Sequence, residues 1–217
     1  MRWFPLVFVL MLVGFGLRAH APPALAASPA PAATPAGTVT VPPDYRSWAY
    51  VSTGLSMKYA QEQQTTTMGA SPHAARAVQP LARTTAGGQV FHNVFVTPAA
   101  YKYFVANGHW PDKTMFVLEI RAAVNRDKPF LTQGLYQAEI VDLKAELRDD
   151  ARYPVDKWKW FSFTQKNGAW QPAGPEPNAS CFDCHTKHGA VDKSFVQFYP
   201  TLYPIAKQKG TLNPGFK

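Results

Sequence analysis

The sequence predicts an α+β domain: a small antiparallel sheet of four or five strands with short flanking helices and a cysteine-bearing segment near the C-terminus. Three observations carry this. Separated runs of β-branched and aromatic residues fill the middle of the chain, one Thr-Pro helix start interrupts them, and Cys181-Phe182-Asp183-Cys184-His185 follows a Pro-rich loop in the last third. With 217 residues, 46% of them hydrophobic and 17% charged, the chain can bury a core. That excludes disorder as its main state and favours a single folded domain.

The N-terminus is read apart from the fold. Met1 and Arg2 precede an apolar run from Trp3 to Leu17, followed by small residues, as in a secretory signal peptide. The run is shorter than the roughly 20 residues a membrane-spanning helix needs, and Arg18, His20 and two prolines follow it. Ala24-Leu25-Ala26 supplies the small-x-small cleavage pattern and is preferred to Ala19-His20-Ala21, which Pro22 follows. Residues 1–26 are therefore assigned to the signal peptide, and the mature protein to the periplasm or another exported location. Cleavage removes Arg2 and Arg18 and no acid, so the formal charge falls from +8 to +6. The basic residues are scattered, which suits a mildly basic surface and gives no reason to expect nucleic acid as a partner.

Residues 27–43, mostly Ala, Pro, Ser and Thr without acids or aromatics, read as a disordered arm. The domain is placed at 44–217. Asp44 to Val51 mixes aromatics with charge after Pro42-Pro43, and a short N-terminal helix is expected there. Gln89 to Val96 reads as a strand introduced by Gly87-Gly88. Thr97 as N-cap and Pro98 at the first helical position then predict a helix to Ala106, stopped at Asn107-Gly108. Three further strands are expected over Thr114 to Val124, Leu135 to Lys144 and Trp158 to Gln165, with loops at Asn167-Gly168 and from Gln171 to Asn178.

Cys181 and Cys184 are the only two cysteines, and with His185 they form C-x-x-C-H. This pattern reads as covalent attachment of one haem c. Two thiols on a single helical turn reach the two vinyl groups of a porphyrin, and the adjacent imidazole lies under the iron as axial ligand. Rival readings remain at this stage. A structural disulfide suits a secreted protein but leaves His185 without a role. A thioredoxin-like pair normally sits early in a βαβ unit. A zinc site using His185 and His188 would compress its ligands more than structural zinc modules do, and chance occurrence is the fourth.

The segment from Cys181 through Asp192, with the tail Phe195-Val196-Gln197-Phe198-Tyr199-Pro200, resembles the C-terminal end of the cytochrome P460 family. Pro43-Asp44-Tyr45-Arg46-Ser47-Trp48 resembles the family's opening, Gly88 through Val96 with its His92-Asn93 pair its first strand, and Trp110-Pro111-Asp112 a third piece. The resemblance spans about Pro43 to Pro200. It implies a small antiparallel sheet flanked by helices, a homodimer, and one five-coordinate haem c.

Two activities go with that family: oxidation of hydroxylamine or related nitrogen species, and binding of nitric oxide or another diatomic ligand without turnover, as in cytochrome c′-β. In the oxidising members a lysine is cross-linked to the porphyrin, and the resemblance places its source on the strand from Thr114 to Arg121. That stretch contains no lysine. Lys113 stands at its start, where related sequences more often have a turn glycine; it is the cross-link candidate, against a preferred reading as a solvent-facing turn lysine. His92 and His109 are candidate second axial ligands, each better read as a core or loop histidine, and His188 is too near His185 to reach the opposite face of a haem. Met57, Met68 and Met115 could serve as in electron-transfer cytochromes but suit packing better. Glu176, just before the haem segment, is a candidate proton acceptor, with an exposed loop carboxylate as the bland reading.

The sequence thus points to an exported mono-haem c-type cytochrome with Cys181 and Cys184 as thioether anchors, His185 as the iron ligand, and an open distal position for nitric oxide or a similar small nitrogen ligand. The alternatives are a cross-linked hydroxylamine-oxidising cytochrome and a six-coordinate carrier, either of which would need a soluble electron-transfer partner.

Overall fold

The structure, a computed structural model, describes residues 37–57, 88–125, 133–179 and 181–216. The expected signal peptide, the arm as far as residue 36, and Met68 lie outside the described residues. Five strands form one antiparallel meander in chain order: β1 (Ala49–Leu55), β2 (Val90–Val96), β3 (Met115–Val124), β4 (Tyr136–Arg148) and β5 (Trp158–Ser162). The helices are α1 (Pro98–Asn107), α2 (Phe182–His188) and α3 (Tyr203–Lys209). The expected α+β architecture is the observed one.

Side-chain alternation divides the sheet into two buried faces. One face carries Val96, Phe116 and Trp160, covered by Phe104 of α1, by Trp110, and by Val196 and Leu202 from the C-terminal segment. The other carries Met115, Val117, Leu143, Leu147 and Phe161, covered by Val39, Tyr45 and Trp48 from the N-terminal segment. Because both faces are covered, the central strand β3 is apolar almost throughout instead of alternating with polar residues.

The helix after β2 starts and stops as expected. Pro98 opens α1, and Gly108 closes it at φ 76°, with its N–H donating to the Phe104 carbonyl at 2.7 Å. Gly108 serves a second purpose, since a Cβ there would lie 2.8 Å from atoms of Lys209 and Thr211. The C-terminal segment can therefore press against the end of α1, where the Thr211 hydroxyl donates to the Gly108 carbonyl at 2.8 Å.

Three expectations are corrected. The helix expected from Asp44 is one 3-10 turn, Tyr45–Ser47, and Ala49–Leu55 is instead the edge strand β1. Pairing with β2, from Ala49 opposite Val96 to Leu55 opposite Phe91, offers Tyr50 and Thr53 ladder bonds that suit their β-propensity. The assignment of residues 27–43 to a disordered arm runs too far, because Gly37–Pro43 belongs to the domain. Val39 is 1% exposed and exchanges both backbone hydrogen bonds with Ala173, at 2.8 and 2.9 Å, and Val41 packs beside it. Two valines suffice to dock a segment whose composition reads as disordered. Finally, the strand expected to run to Gln165 ends at Ser162; Gln165–Lys166 (β6) and Ala169–Trp170 (β7) form a separate ribbon. Asn167 and Gly168, at φ 50° and 78°, make its two-residue turn.

Candidate haem site

α2 carries the C-x-x-C-H sequence against the edge of the sheet. Cys181 stands at its N-cap position, with Cys184 and His185 three and four residues on, so all three share one helix face. Both cysteines are half-buried and form no disulfide with each other. Phe182 meets the Trp160 ring edge-on at 5.9 Å between centroids and anchors the helix on β5.

The His185 imidazole lies between two rings, Trp160 at 4.7 Å and Phe195 at 4.3 Å. Its Nδ1 stands 2.8 Å from the Lys193 carbonyl oxygen. A carbonyl only accepts, so Nδ1 carries the proton and the lone pair resides on Nε2. Burial disfavours the charged ring and pulls its pKa down to about 4, although the Lys193 carbonyl opposes this. The ring is therefore neutral at physiological pH, with one nitrogen fixed and the other able to ligate iron.

The carbonyl that fixes it is delivered by a constrained turn. Asp192 and Lys193 both adopt left-handed backbone, φ 48° and 63°, which non-glycine residues rarely do. Gly189 makes room for this turn. A Cβ on Gly189 would lie 2.6 Å from the His185 carbonyl oxygen and 2.6 Å from the Lys193 carbonyl carbon. Helix α2 and the turn can approach this closely only because residue 189 has no side chain.

Beneath the imidazole runs a cross-strand row on one face of the sheet: Val96 opposite Phe116, Phe116 opposite Glu146, and Glu146 opposite Trp160. Glu146 is buried, its Oε1 has no hydrogen-bond partner among the described residues, and that oxygen lies 3.7 Å from His185 Nδ1. Desolvation holds its carboxyl well above the usual carboxylate range. A buried carboxyl oxygen without a partner beside a helical thiol pair and an imidazole with a defined tautomer fits a site built around a polar cofactor rather than a purely structural core. The donor set, two thiols and one neutral imidazole, is that of haem c. Among the described residues no three His, Cys, Asp or Glu side chains converge as a zinc site requires.

The remaining candidates fall in distinct places. Glu176 extends the row past Trp160: its N–H donates to the Trp160 carbonyl at 2.7 Å, next to the bridge between Phe161 and Pro175, and it is half-buried. Alternation puts it on the Trp160 side of the sheet, the face on which α2 sits. Lys113 occupies the turn before β3 at φ 63°, a conformation that suits glycine, and Asp149 holds its ammonium group. The structure thus gives Lys113 a carboxylate partner on the β4–β5 connection and does not bring it together with α2. Met115 is fully buried on the opposite face of the sheet from His185, and Met57 packs on Gly54. His109 is half-exposed, with Nδ1 3.4 Å from Asp192. His92 lies on the α2-side face, in β2, paired with Gly54 and Ile120; burial lowers its pKa.

Sequence reading missed Glu146 and the Lys193 carbonyl. The strand expected over Leu135 to Lys144 stops short of Glu146, which β4 includes by running on to Arg148, and no sequence signal marks a main-chain carbonyl as functional.

A protein-family model described as Cytochrome P460 matches residues 42–196. No curated protein matches the chain.

Proposed function

Because the chain belongs to the cytochrome P460 family, whose members bind covalently attached haem c with iron, we propose that this haem-binding cytochrome holds its iron open on one side and binds nitric oxide or a similar small neutral nitrogen ligand there. The observation that carries the reading is the fixed, neutral His185, whose tautomer the Lys193 carbonyl dictates and whose Nε2 would hold the iron. Cys181 and Cys184 are the thioether anchors. The haem supplies an iron centre that binds diatomic ligands and exchanges one electron; the chain attaches it, orients the imidazole and excludes water. Phe116, Leu118, Ile120 and Val94 give the α2-side face of the sheet an apolar character, which favours a neutral ligand over water or an anion.

Support for binding without turnover comes from β3, which presents no lysine, and from Lys113, which Asp149 engages. Hydroxylamine oxidation is the second reading, and one observation favours it: Glu176 continues the row beyond Trp160, where a carboxylate would take protons from a bound nitrogen substrate. A six-coordinate carrier is the least favoured, since Met115 faces away. Export through the 1–26 signal, homodimerisation and a soluble redox partner belong to the same proposal. No helix among the described residues is long and apolar enough to cross a membrane.

The test is the optical spectrum of the reduced holoprotein, with nitric oxide and carbon monoxide titrations and a single-turnover assay with hydroxylamine and an electron acceptor. A five-coordinate high-spin ferrous haem that binds both gases and turns hydroxylamine over slowly or not at all is expected. A low-spin ferrous spectrum would remove both P460-type activities, while a red-shifted Soret band with rapid turnover would transfer the assignment to the oxidising branch.

A further inference from the structure

The Trp110-Pro111-Asp112 segment has no part in the function so far, yet Trp110 grips the turn that sets the haem ligand. Its main-chain N–H donates to Asp192 Oδ2 at 2.9 Å, and its indole Nε1–H donates to Ser194 Oγ at 2.8 Å. Ser194 in turn donates to the Val191 carbonyl at 2.7 Å and pairs with Val191 through the backbone. The two residues between those ties are Asp192 and Lys193, the left-handed pair whose carbonyl receives the His185 Nδ1 proton. Trp110 is itself immobilised. It is 1% exposed, its ring lies 4.2 Å from Phe104 and 4.8 Å from Phe116, and Arg148, locked on Asp150 by two hydrogen bonds, donates to its carbonyl at 2.6 Å.

We propose that Trp110 is a positioning residue for the haem: by clamping the 191–194 turn through Asp192 and Ser194 it holds the Lys193 carbonyl on His185 Nδ1 and so sets the electron donation of the imidazole to iron. The inference rests on His185 being the axial ligand. Two adjacent residues in left-handed backbone relax unless they are tied from outside, and the hydrogen bond on the outer nitrogen of a ligating histidine governs its basicity and orientation. Trp110 reaches that bond from a distant part of the sequence, through Asp192 and Ser194. The competing view makes Trp110 a core aromatic only, for which the indole N–H would be incidental.

Trp110→Phe keeps an aromatic ring between Phe104 and Phe116 and removes the indole N–H; Ser194→Ala removes the acceptor of the same bond. Both variants and their combination are purified as holoprotein and matched for haem content. The Fe–His stretching band of the ferrous protein is read by resonance Raman and the reduction potential by equilibrium titration. The stretching frequency is expected to fall and the potential to rise in each single variant, with the double variant no further shifted than Ser194→Ala, because that single variant already lacks the Trp110–Ser194 bond as well as the Ser194–Val191 bond. A parental band and parental potential in Ser194→Ala, whatever its melting temperature, would overturn the proposal, and this variant carries the test alone should Trp110→Phe fail to fold. A parental ferrous protein lacking any Fe–His band would remove His185 as ligand, and the functional reading would fall together with this one.

Discussion

Two buried glutamates, one on each face of the sheet, meet opposite treatment. Glu119, 2% exposed, accepts from the Tyr45 hydroxyl, from Arg46 at 2.8 Å and from Arg121. Burial alone would raise its pKa, but those hydrogen bonds and the two guanidinium charges outweigh it and hold the carboxyl below its usual range. Glu146, one strand away on the other face, has burial as its only influence and is pushed up. On one face the Glu119 charge is neutralised and both its oxygens are engaged; on the other Glu146 leaves an oxygen unmatched beside His185. A buried charge whose partners are all in place becomes costly when one partner is removed, whereas an unmatched one in a core marks a place where stability has been given up for chemistry.

The comparison breaks most completely at the thiols. Changing Cys181 and Cys184 together to Ala is expected to yield protein from which acidified organic solvent extracts all the haem, while the parent retains it. Elemental analysis of the parent showing zinc in place of iron would sink the assignment.

Next in size is Glu119→Leu, which strands Arg46 and Arg121 and leaves the Tyr45 hydroxyl without its acceptor. A loss of about 3 kcal/mol is expected in urea unfolding at neutral pH. Because the folded carboxyl titrates below its unfolded value, its contribution is present above the unfolded pKa and disappears as pH falls through the folded one. The parent-to-variant difference should therefore shrink in acid; a difference independent of pH would show that packing, not charge, is lost.

Gly189→Ala sharpens the other face. Its Cβ would force the 192–193 turn away from α2, at a cost of about 2 kcal/mol, and circular-dichroism melts should register it. Retention of the parental melting temperature would mean that the turn yields without consequence.

The smallest effect has the opposite sign. Glu146→Gln keeps the shape and removes a group that ionises in the unfolded chain but resists ionisation when folded, so unfolding at pH 7 should become harder by about 1 kcal/mol. The gain should vanish as pH falls below the unfolded carboxyl value. Destabilisation comparable to that of Glu119→Leu would abolish the distinction between the faces.

Much of this was legible without coordinates. The C-x-x-C-H run, the Thr97-Pro98 start and Gly108 stop of α1, and strands β2 to β5 follow from local chemistry: covalent reach, a fixed proline φ, a left-handed cap and β-branched runs. Local signals misled where a partner segment decides. Val39 and Val41 look too sparse to order a Pro-rich stretch until Ala173 supplies the hydrogen bonds, and Asp44 to Val51 reads as helix until β2 offers a ladder.

What the sequence determined by itself is the chemistry of attachment, because two thiols and an imidazole within five residues are placed on one helical turn by the backbone alone. What only the tertiary structure decided is the state of that imidazole. Its proton is fixed by a carbonyl eight residues away, its neutrality by Trp160 and Phe195, and its unmatched neighbour Glu146 by the pairing of β4 with β3 and β5. Those are contacts between segments, and hydrogen-bond direction and desolvation depend on where other chains of atoms finally lie, which no local run of residues encodes.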